Sequence, residues 1–257
     1  MTWRSRLGLG GPAAVAVLVL VLPLVALLLR ADWGRVLGDI TGGTGVLALR
    51  LSLVTTFSTA LGCLVLGTPL AWLLARSDGL VTRWLRAVLT VPLVLPPVVG
   101  GVALLMTWGR RGIVGQHLTA FGVEIPFTTV AVVIAETFVA MPYYVLAVEG
   151  AMRGLDPRLE SIARTLGASD LRYLRTVALP LVVPGIASGL ALAWARALGE
   201  FGATITFAGN LVGTTQTAPL AVYVALQQDP AAATSLSILL LGVSVVVLGL
   251  LRGRWVR

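Results

Sequence analysis

The chain has 257 residues, of which 57% are hydrophobic and 12% are charged, and its mean hydropathy is +0.95. Soluble domains carry about 25% charged residues, so this composition excludes an ordinary water-soluble protein and predicts a surface that faces lipid. The net charge of +8 comes from 19 arginines and no lysine, and because these arginines lie in short clusters between apolar runs, they indicate membrane topology signals and no nucleic-acid binding.

Six stretches are long and apolar enough for a membrane helix, which needs about 20 mostly apolar residues. In chain order they are 8–29, 51–75, 88–108, 128–148, 181–198 and 231–251. Arg4 and Arg6 precede the first stretch, as in a signal peptide. That apolar run is too long for a signal peptide and no small-residue cleavage site follows it, so we expect an uncleaved anchor.

The arginines also predict an orientation. Thirteen lie on one side of the six stretches and five on the other, while Arg196 lies inside the fifth stretch. Because arginine accumulates on the cytoplasmic side, both termini are expected in the cytoplasm. The expected organisation is an N-terminal helix and external loop (1–47), a transmembrane domain (48–252) with a cytoplasmic loop at 153–180, and a short cytoplasmic tail (253–257).

The third stretch contains Pro92, Pro96 and Pro97, which remove backbone donors and interrupt a helix. Interrupted backbone is tolerated at membrane depth where neighbouring helices or a water-lined cavity satisfy it. Two interpretations follow: a broken helix that lines a pathway, or a kink that packs against its neighbours.

The loop between the fourth and fifth stretches reads LDPRLESIARTLGASDLRYLRTVALP over residues 155–180. Asp156 can cap a helix that begins at Pro157, Gly167 fits its end, and Ser169 can cap a second short helix. Four apolar residues recur at helical spacing and so share one predicted face: Leu155, Leu159, Ile162 and Leu166. The pair of helices predicts either an interfacial element on lipid or a docking element for a cytoplasmic partner.

The same segment resembles the "EAA" loop of permease subunits of ABC importers, whose pattern is Glu-Ala-Ala, three residues, Gly, nine residues, Ile, one residue, Leu-Pro. Four positions match it: Ala163, Gly167, Leu179 and Pro180. Val177 replaces Ile, Ser161-Ile162 replaces Glu-Ala, and Glu160 stands one position early. The departure leaves open which carboxylate, if any, meets the partner.

This resemblance covers roughly residues 49–252 and implies an all-α integral membrane protein, a six-helix bundle of the type I ABC importer permease kind. It implies a homodimer, two ATPase subunits, an extracytoplasmic oxyanion-binding protein, and a bacterial or archaeal plasma membrane. The loop would be the coupling helix that inserts into the ATPase. The residues expected to couple are Asp156, Leu159, Glu160, Ile162, Ala163, Leu166, Gly167, Ala168 and Pro180.

A second resemblance lies in residues 195–223. Gly-Glu-Phe-Gly-Ala-Thr, then Phe-Ala-Gly-Asn, then Thr-Gln-Thr are similar to the corresponding stretch of molybdate and tungstate permeases. Sulfate permeases are similar but usually differ after Gly-Glu. The resemblance implies molybdate or tungstate as the substrate and leaves a sulfate or thiosulfate permease as the alternative.

Several chemistries are missing from the sequence. Without lysine the chain has no phosphate-binding loop, so ATP and Mg²⁺ would belong to a partner ATPase and this chain needs no cofactor. His117 and Cys63 are single, so no two-histidine metal site exists, and no G-x-S-x-G motif occurs. We therefore expect no enzyme and no catalytic residue, while a secondary transporter or a membrane scaffold stays possible.

Charged residues inside a membrane are functional candidates by default. Arg196 and Glu200 flank the end of the fifth stretch, and Glu136 and Glu149 lie in or near the fourth. Arg196 either faces a pathway or forms a structural pair with Glu136 or Glu200. The pathway residues predicted from the sequence are Pro96, Pro97, Arg196, Glu200, Thr204, Thr206 and Asn210.

Overall fold

The structure is a computed structural model that describes residues 3–252, without the side chains of residues 3–9, 248 and 250–252. Within that range the chain is helical and contains no strand. In chain order the helices are α1 (Trp3–Leu29), α2 (Trp33–Thr41), α3 (Gly43–Gly62), α4 (Thr68–Arg76), α5 (Leu80–Val94), α6 (Pro97–Trp108), α7 (Gly115–Ala120), α8 (Thr129–Arg153), α9 (Pro157–Thr165), α10 (Asp170–Tyr173), α11 (Leu179–Leu198), α12 (Gly202–Phe207), α13 (Ala218–Gln228) and α14 (Pro230–Arg252).

Two π-helical turns join neighbouring helices into longer continuous spans. Cys63–Gly67 joins α3 to α4, and Leu174–Ala178 joins α10 to α11. The resulting continuous helices are Gly43–Arg76, with 34 residues, and Asp170–Leu198, with 29 residues. The sequence-based spans start later because polar residues at the ends of these helices lower the local hydropathy.

Five helices in the described range are long and apolar enough to cross a membrane: Gly10–Leu29, Gly43–Arg76, Thr129–Arg153, Asp170–Leu198 and Pro230–Val247. The sixth candidate is the pair α5 and α6, which is bent by 119° at the predicted proline break. Arg86 of α5 contacts Glu149 near the end of α8, whereas Leu104 of α6 packs with Ala135 in its first half. The broken pair therefore contacts both halves of α8, as an interrupted span would, and the predicted all-helical membrane bundle is confirmed.

Helix α8 is the centre of the bundle and packs against α3, α4, α11 and α12. A large apolar cluster surrounds its second half, and a second one surrounds its first half. The fully buried members of these clusters include Leu74, Val132, Tyr144, Val148 and Phe207. Helix α1 lies outside, with its described apolar side chains mostly exposed, as expected for a helix that faces lipid.

The bundle has two ends, here called the α9 end and the opposite end. At the α9 end α4 and α8 finish and the loop of α9 and α10 follows, whereas α3, α8 and α14 all begin at the opposite end. The structure continues through the predicted domain boundary at residues 47 and 48, which lies inside α3. That division stays a prediction, and the predicted tail at 253–257 lies outside the described residues.

Candidate functional site

The loop at the α9 end has the two short helices that its sequence predicts. Asp156 accepts a hydrogen bond from the Arg158 backbone N–H at 2.9 Å and so caps α9. Ser169 Oγ accepts one from the Arg172 backbone N–H and caps α10. Between them Gly167 adopts φ +80°, the left-handed conformation that ends a helix and favours glycine.

The buried face of α9 differs from the predicted apolar stripe. Leu159 and Ala163 pack against the bundle, but Ile162 is 57% exposed and Leu166 is 82% exposed. The four residues of the predicted stripe are therefore unequally buried, and Ile162 and Leu166 are left exposed. The helix is rotated so that Glu160, which lies beside Ala163 on the helical wheel, also points inward.

Ion pairs accompany this orientation of α9. Glu160 forms an ion pair with Arg76 at the end of α4, and it also contacts Arg164 at 2.8 Å. Arg164 in turn lies 3.1 Å from Asp170 on α10. A chain of charges therefore runs from α4 through α9 to α10, and the carboxylate that the loop pattern left unassigned is held inside the permease.

A second charged cluster holds the spans together at the same end. Glu149 contacts Arg86 of α5 at 2.7 Å and Arg153 at 2.9 Å. Both arginines also donate to the Leu74 carbonyl oxygen, and Arg153 pairs with Asp78 at 2.8 Å. This pair with Arg153 lowers the pKa of the exposed Asp78 carboxyl. Glu149 therefore has the structural role of joining α4, α5 and α8.

The predicted pathway residues Pro96 and Pro97 lie at the break between α5 and α6, where the interrupted span meets α12. Glycines line this crossing on both sides: a Cβ atom on Gly101 would lie 2.6 Å from the Thr206 Cβ, and one on Gly202 would lie 2.7 Å from the Pro97 Cβ. The structure therefore brings together two motifs that are about 100 residues apart in the sequence, the proline break and the Gly-Glu-Phe-Gly-Ala-Thr segment.

Arg196 and Glu200 form an ion pair of 2.7 Å across one turn at the end of α11. The other Glu200 oxygen accepts a hydrogen bond of 2.8 Å from the Ala203 backbone N–H in the first turn of α12. Of the two partners predicted for Arg196, the structure thus selects Glu200. Glu200 thus gives a free backbone N–H a hydrogen-bond partner where the helix is interrupted, and its charge is paired with that of Arg196. Buried ionisable residues in membranes require such partners.

The remaining pathway candidates are packed in the interior. Thr204 is fully buried and its hydroxyl has no hydrogen-bond partner among the described residues. Thr206 donates to the Gly202 carbonyl oxygen at 2.8 Å, and the Asn210 Oδ1 is buried without a partner in the described part of the chain. Thr206 lies against Gly101 of α6, close to the proline break, while contact of any of these residues with a substrate stays a prediction.

Sequence reasoning identified Glu136 as an intramembrane charge but missed its two buried partners. Glu136 of α8 accepts hydrogen bonds from Thr55 at 2.8 Å and Thr59 at 3.0 Å, both on α3. All three residues are at most 2% exposed. The two threonines are four residues apart and therefore share one helix face, and this polar spacing in an apolar span is the signal that could have identified them.

These features define a class of protein. A membrane-spanning bundle with interrupted helices in its interior and a two-helix loop at one end has the architecture of a transporter permease. Residues 67–257 match the family described as the binding-protein-dependent transport system inner membrane component. The chain belongs to this family, so it is a multi-pass membrane subunit of a transport system and not itself an enzyme.

Relatives and solved structures agree with this assignment. The chain is 48% identical to the molybdenum transport system permease protein ModB of Mycobacterium tuberculosis over 239 residues. The aligned region covers 93% of this chain and 90% of that protein. It is 32% identical over 246 residues to the sulfate transport system permease protein CysT of Salmonella typhimurium, covering 94% and 89%. A bacterial alginate ABC transporter in complex with its periplasmic protein shares the fold, with a TM-score of 0.75, 15% identity and coverage of 97% and 92%.

Proposed function

We propose that this chain is the permease subunit of an ATP-driven importer that moves molybdate or tungstate into the cytoplasm of a bacterium or archaeon. It would act as a homodimer with two ATPase subunits and an extracytoplasmic oxyanion-binding protein. The proposed substrate rests on the 48% identity to a molybdenum permease, compared with 32% identity to a sulfate permease over a similar length.

The energetics favour an ATP-driven partner over a passive pore. Moving a dianion inward against 100 mV costs about 4.6 kcal/mol, and a thousandfold accumulation adds about 4.2 kcal/mol. The described residues contain no cluster of His, Cys, Asp or Glu able to hold a metal ion. The lysine-free chain has no phosphate-binding loop, so the ATP and Mg²⁺ would be bound by the partner.

The α9 end would face the cytoplasm and the ATPase, since the arginine-rich side of the chain includes this loop. Ile162 and Leu166 are exposed there, although they are large and apolar, and thus form a surface that a partner could cover. Asp156, Gly167 and the buried Ala163 would shape the loop. Leu159, Glu160, Ala168 and Pro180, the other residues of the predicted coupling set, would hold it on the bundle.

The pathway would pass the crossing of α6 and α12, where the helices are interrupted. Thr204 and Asn210 offer uncharged dipoles to an anion, and weak binding suits a pathway that must release its substrate. The Arg196–Glu200 pair is internally neutralised at 2.7 Å, so it would fix the crossing and leave the oxyanion to these dipoles.

The test is uptake of radiolabelled molybdate by the reconstituted complex of permease, ATPase and binding protein. We expect ATP-dependent uptake that tungstate competes for strongly and sulfate weakly. Stronger competition by sulfate than by tungstate would make the chain a sulfate permease. Uptake by the permease alone, without the ATPase, would instead identify a secondary transporter, and a complex that hydrolyses ATP but moves no oxyanion would refute the proposal.

A further inference from the structure

Arg76 has an unusual position, because it is the last residue of the 34-residue helix Gly43–Arg76 and faces the α9 loop. A cation at this point also interacts favourably with the negative end of the helix dipole. Its side chain is 25% exposed, and that of Glu160, its ion-pair partner on α9, is 30% exposed. The pair is therefore partly shielded from water and from the screening that weakens surface ion pairs.

Two aromatic rings hold the guanidinium in place. The Arg76 Cζ lies 4.4 Å from the centre of the Trp72 ring and 5.8 Å from that of the Tyr173 ring. Trp72 precedes Arg76 by one helical turn, and Tyr173 is a buried residue of α10. Cation–π contacts of this length restrict the arginine, so the guanidinium is pre-organised toward Glu160.

The pair differs from the neighbouring charged cluster in what it connects. Glu149, Arg86 and Arg153 join one span to another, and Arg164 with Asp170 joins α9 to α10 within the loop. Among the ion pairs of the described residues, Arg76–Glu160 is the one that links α9 directly to a span. A displacement of α9 would therefore act on the end of Gly43–Arg76 through this contact.

Resting on the proposed function, we propose that Arg76 and Glu160 are positioning residues that transmit the movement of α9 into the helix Gly43–Arg76. The carboxylate of the loop then works inside the permease, and the ATPase is met by the exposed face with Ile162 and Leu166. Loss of the pair would leave α9 attached mainly by the apolar contacts of Leu159 and Ala163. Those contacts lack the direction of an ion pair, so its loss should weaken the connection between α9 and the end of Gly43–Arg76.

The test compares uptake per ATP hydrolysed in the reconstituted complex. Arg76→Glu and Glu160→Arg each place like charges together, and we expect each to lower this ratio by roughly fivefold or more, the lower end of typical coupling effects. ATP hydrolysis should continue. The double variant Arg76→Glu/Glu160→Arg restores opposite charges, so its ratio should exceed that of either single variant. Arg76→Lys keeps the charge and should lose less than Arg76→Gln.

Asp170→Asn is the matched control, because it breaks the Arg164–Asp170 pair within the loop and leaves Arg76–Glu160 intact. It should keep the wild-type ratio. If the reversed variants do not assemble, Arg76→Gln and Glu160→Gln answer the same question without like-charge repulsion. Normal ratios in the single variants, or a double variant no better than the singles, would overturn the inference. Failure of wild-type uptake with ATP would instead refute the proposed function.

Discussion

The crossing of α6 and α12 should tolerate no added methyl group at Gly101. A Cβ atom there would lie 2.6 Å from the Thr206 Cβ and 2.9 Å from the Ala203 carbonyl oxygen. Carbon atoms pack at about 3.5–4.0 Å, so Gly101→Ala would force the two helices apart by roughly 1 Å. The Ala203 oxygen is backbone and cannot rotate away, so the strain must be taken up by movement of the helices.

Overpacking of this kind costs about 1–3 kcal/mol, which should lower the Tm of the protein in detergent by roughly 2–10 °C. The assay is the fraction of monodisperse protein that remains after heating, together with molybdate uptake. Gly150→Ala on α8 is the control, because no heavy atom lies within 4 Å of its Cβ position. If Gly101→Ala matches Gly150→Ala in Tm and uptake, the close crossing does not exist.

Three further predictions follow from single contacts. Gly167 has φ +80°, so Gly167→Ala should cost about 1–2 kcal/mol of stability and uncouple ATP hydrolysis from uptake. Gly167→Asn should retain more coupling, and equal uptake per ATP hydrolysed in the two variants would contradict this. Glu136→Ala removes the acceptor of Thr55 and should lower the free energy of unfolding by about 1–3 kcal/mol, measured as a lower Tm, while Glu136→Gln keeps an acceptor and should lose less. Arg35 lowers the pKa of Asp229, so this carboxylate stabilises the fold above its unfolded pKa and loses that effect as the pH falls through its folded pKa. The Tm advantage of wild type over Asp229→Asn should therefore shrink between pH 7 and pH 3, and a constant difference would refute the assignment.

Features set by neighbouring residues could be predicted from the sequence. The α9 loop follows from Asp156, Gly167 and Ser169, because caps and a left-handed glycine act within one helical turn. The break at Pro96 follows from the missing backbone donors. The Arg196–Glu200 pair was open to prediction for the same reason, since its members are only four residues apart in the sequence.

Features that depend on tertiary packing could not be predicted. The orientation of α9 that exposes Ile162 is accompanied by the ion pair of Glu160 with Arg76, which lies 84 residues earlier in the sequence. An apolar stripe alone indicates which residues share a face of the helix. It does not indicate whether that face packs against the bundle or is exposed. The burial of Glu136 likewise depends on the pairing of α3 with α8, which brings Thr55 within 2.8 Å of its carboxylate.

A continuous set of contacts connects the α9 loop with the interrupted helices. Glu160 is paired with Arg76 at the end of the helix that carries Thr59, and Thr59 is hydrogen-bonded to Glu136 of α8. Two residues further along α8, Phe138 packs against Gly100 of α6. A Cβ atom added to Gly100 would lie 3.1 Å from the Phe138 ring.

Every link in this set is an ion pair, a hydrogen bond or a tight packing contact, so its members move together or break contact. Packed cores change between discrete arrangements more readily than they deform. A shift of α9 large enough to break or move the Arg76 contact would therefore reach the crossing of α6 and α12 as a change of packing. Such a change of packing is what the proposed function requires of a loop at one end of the bundle.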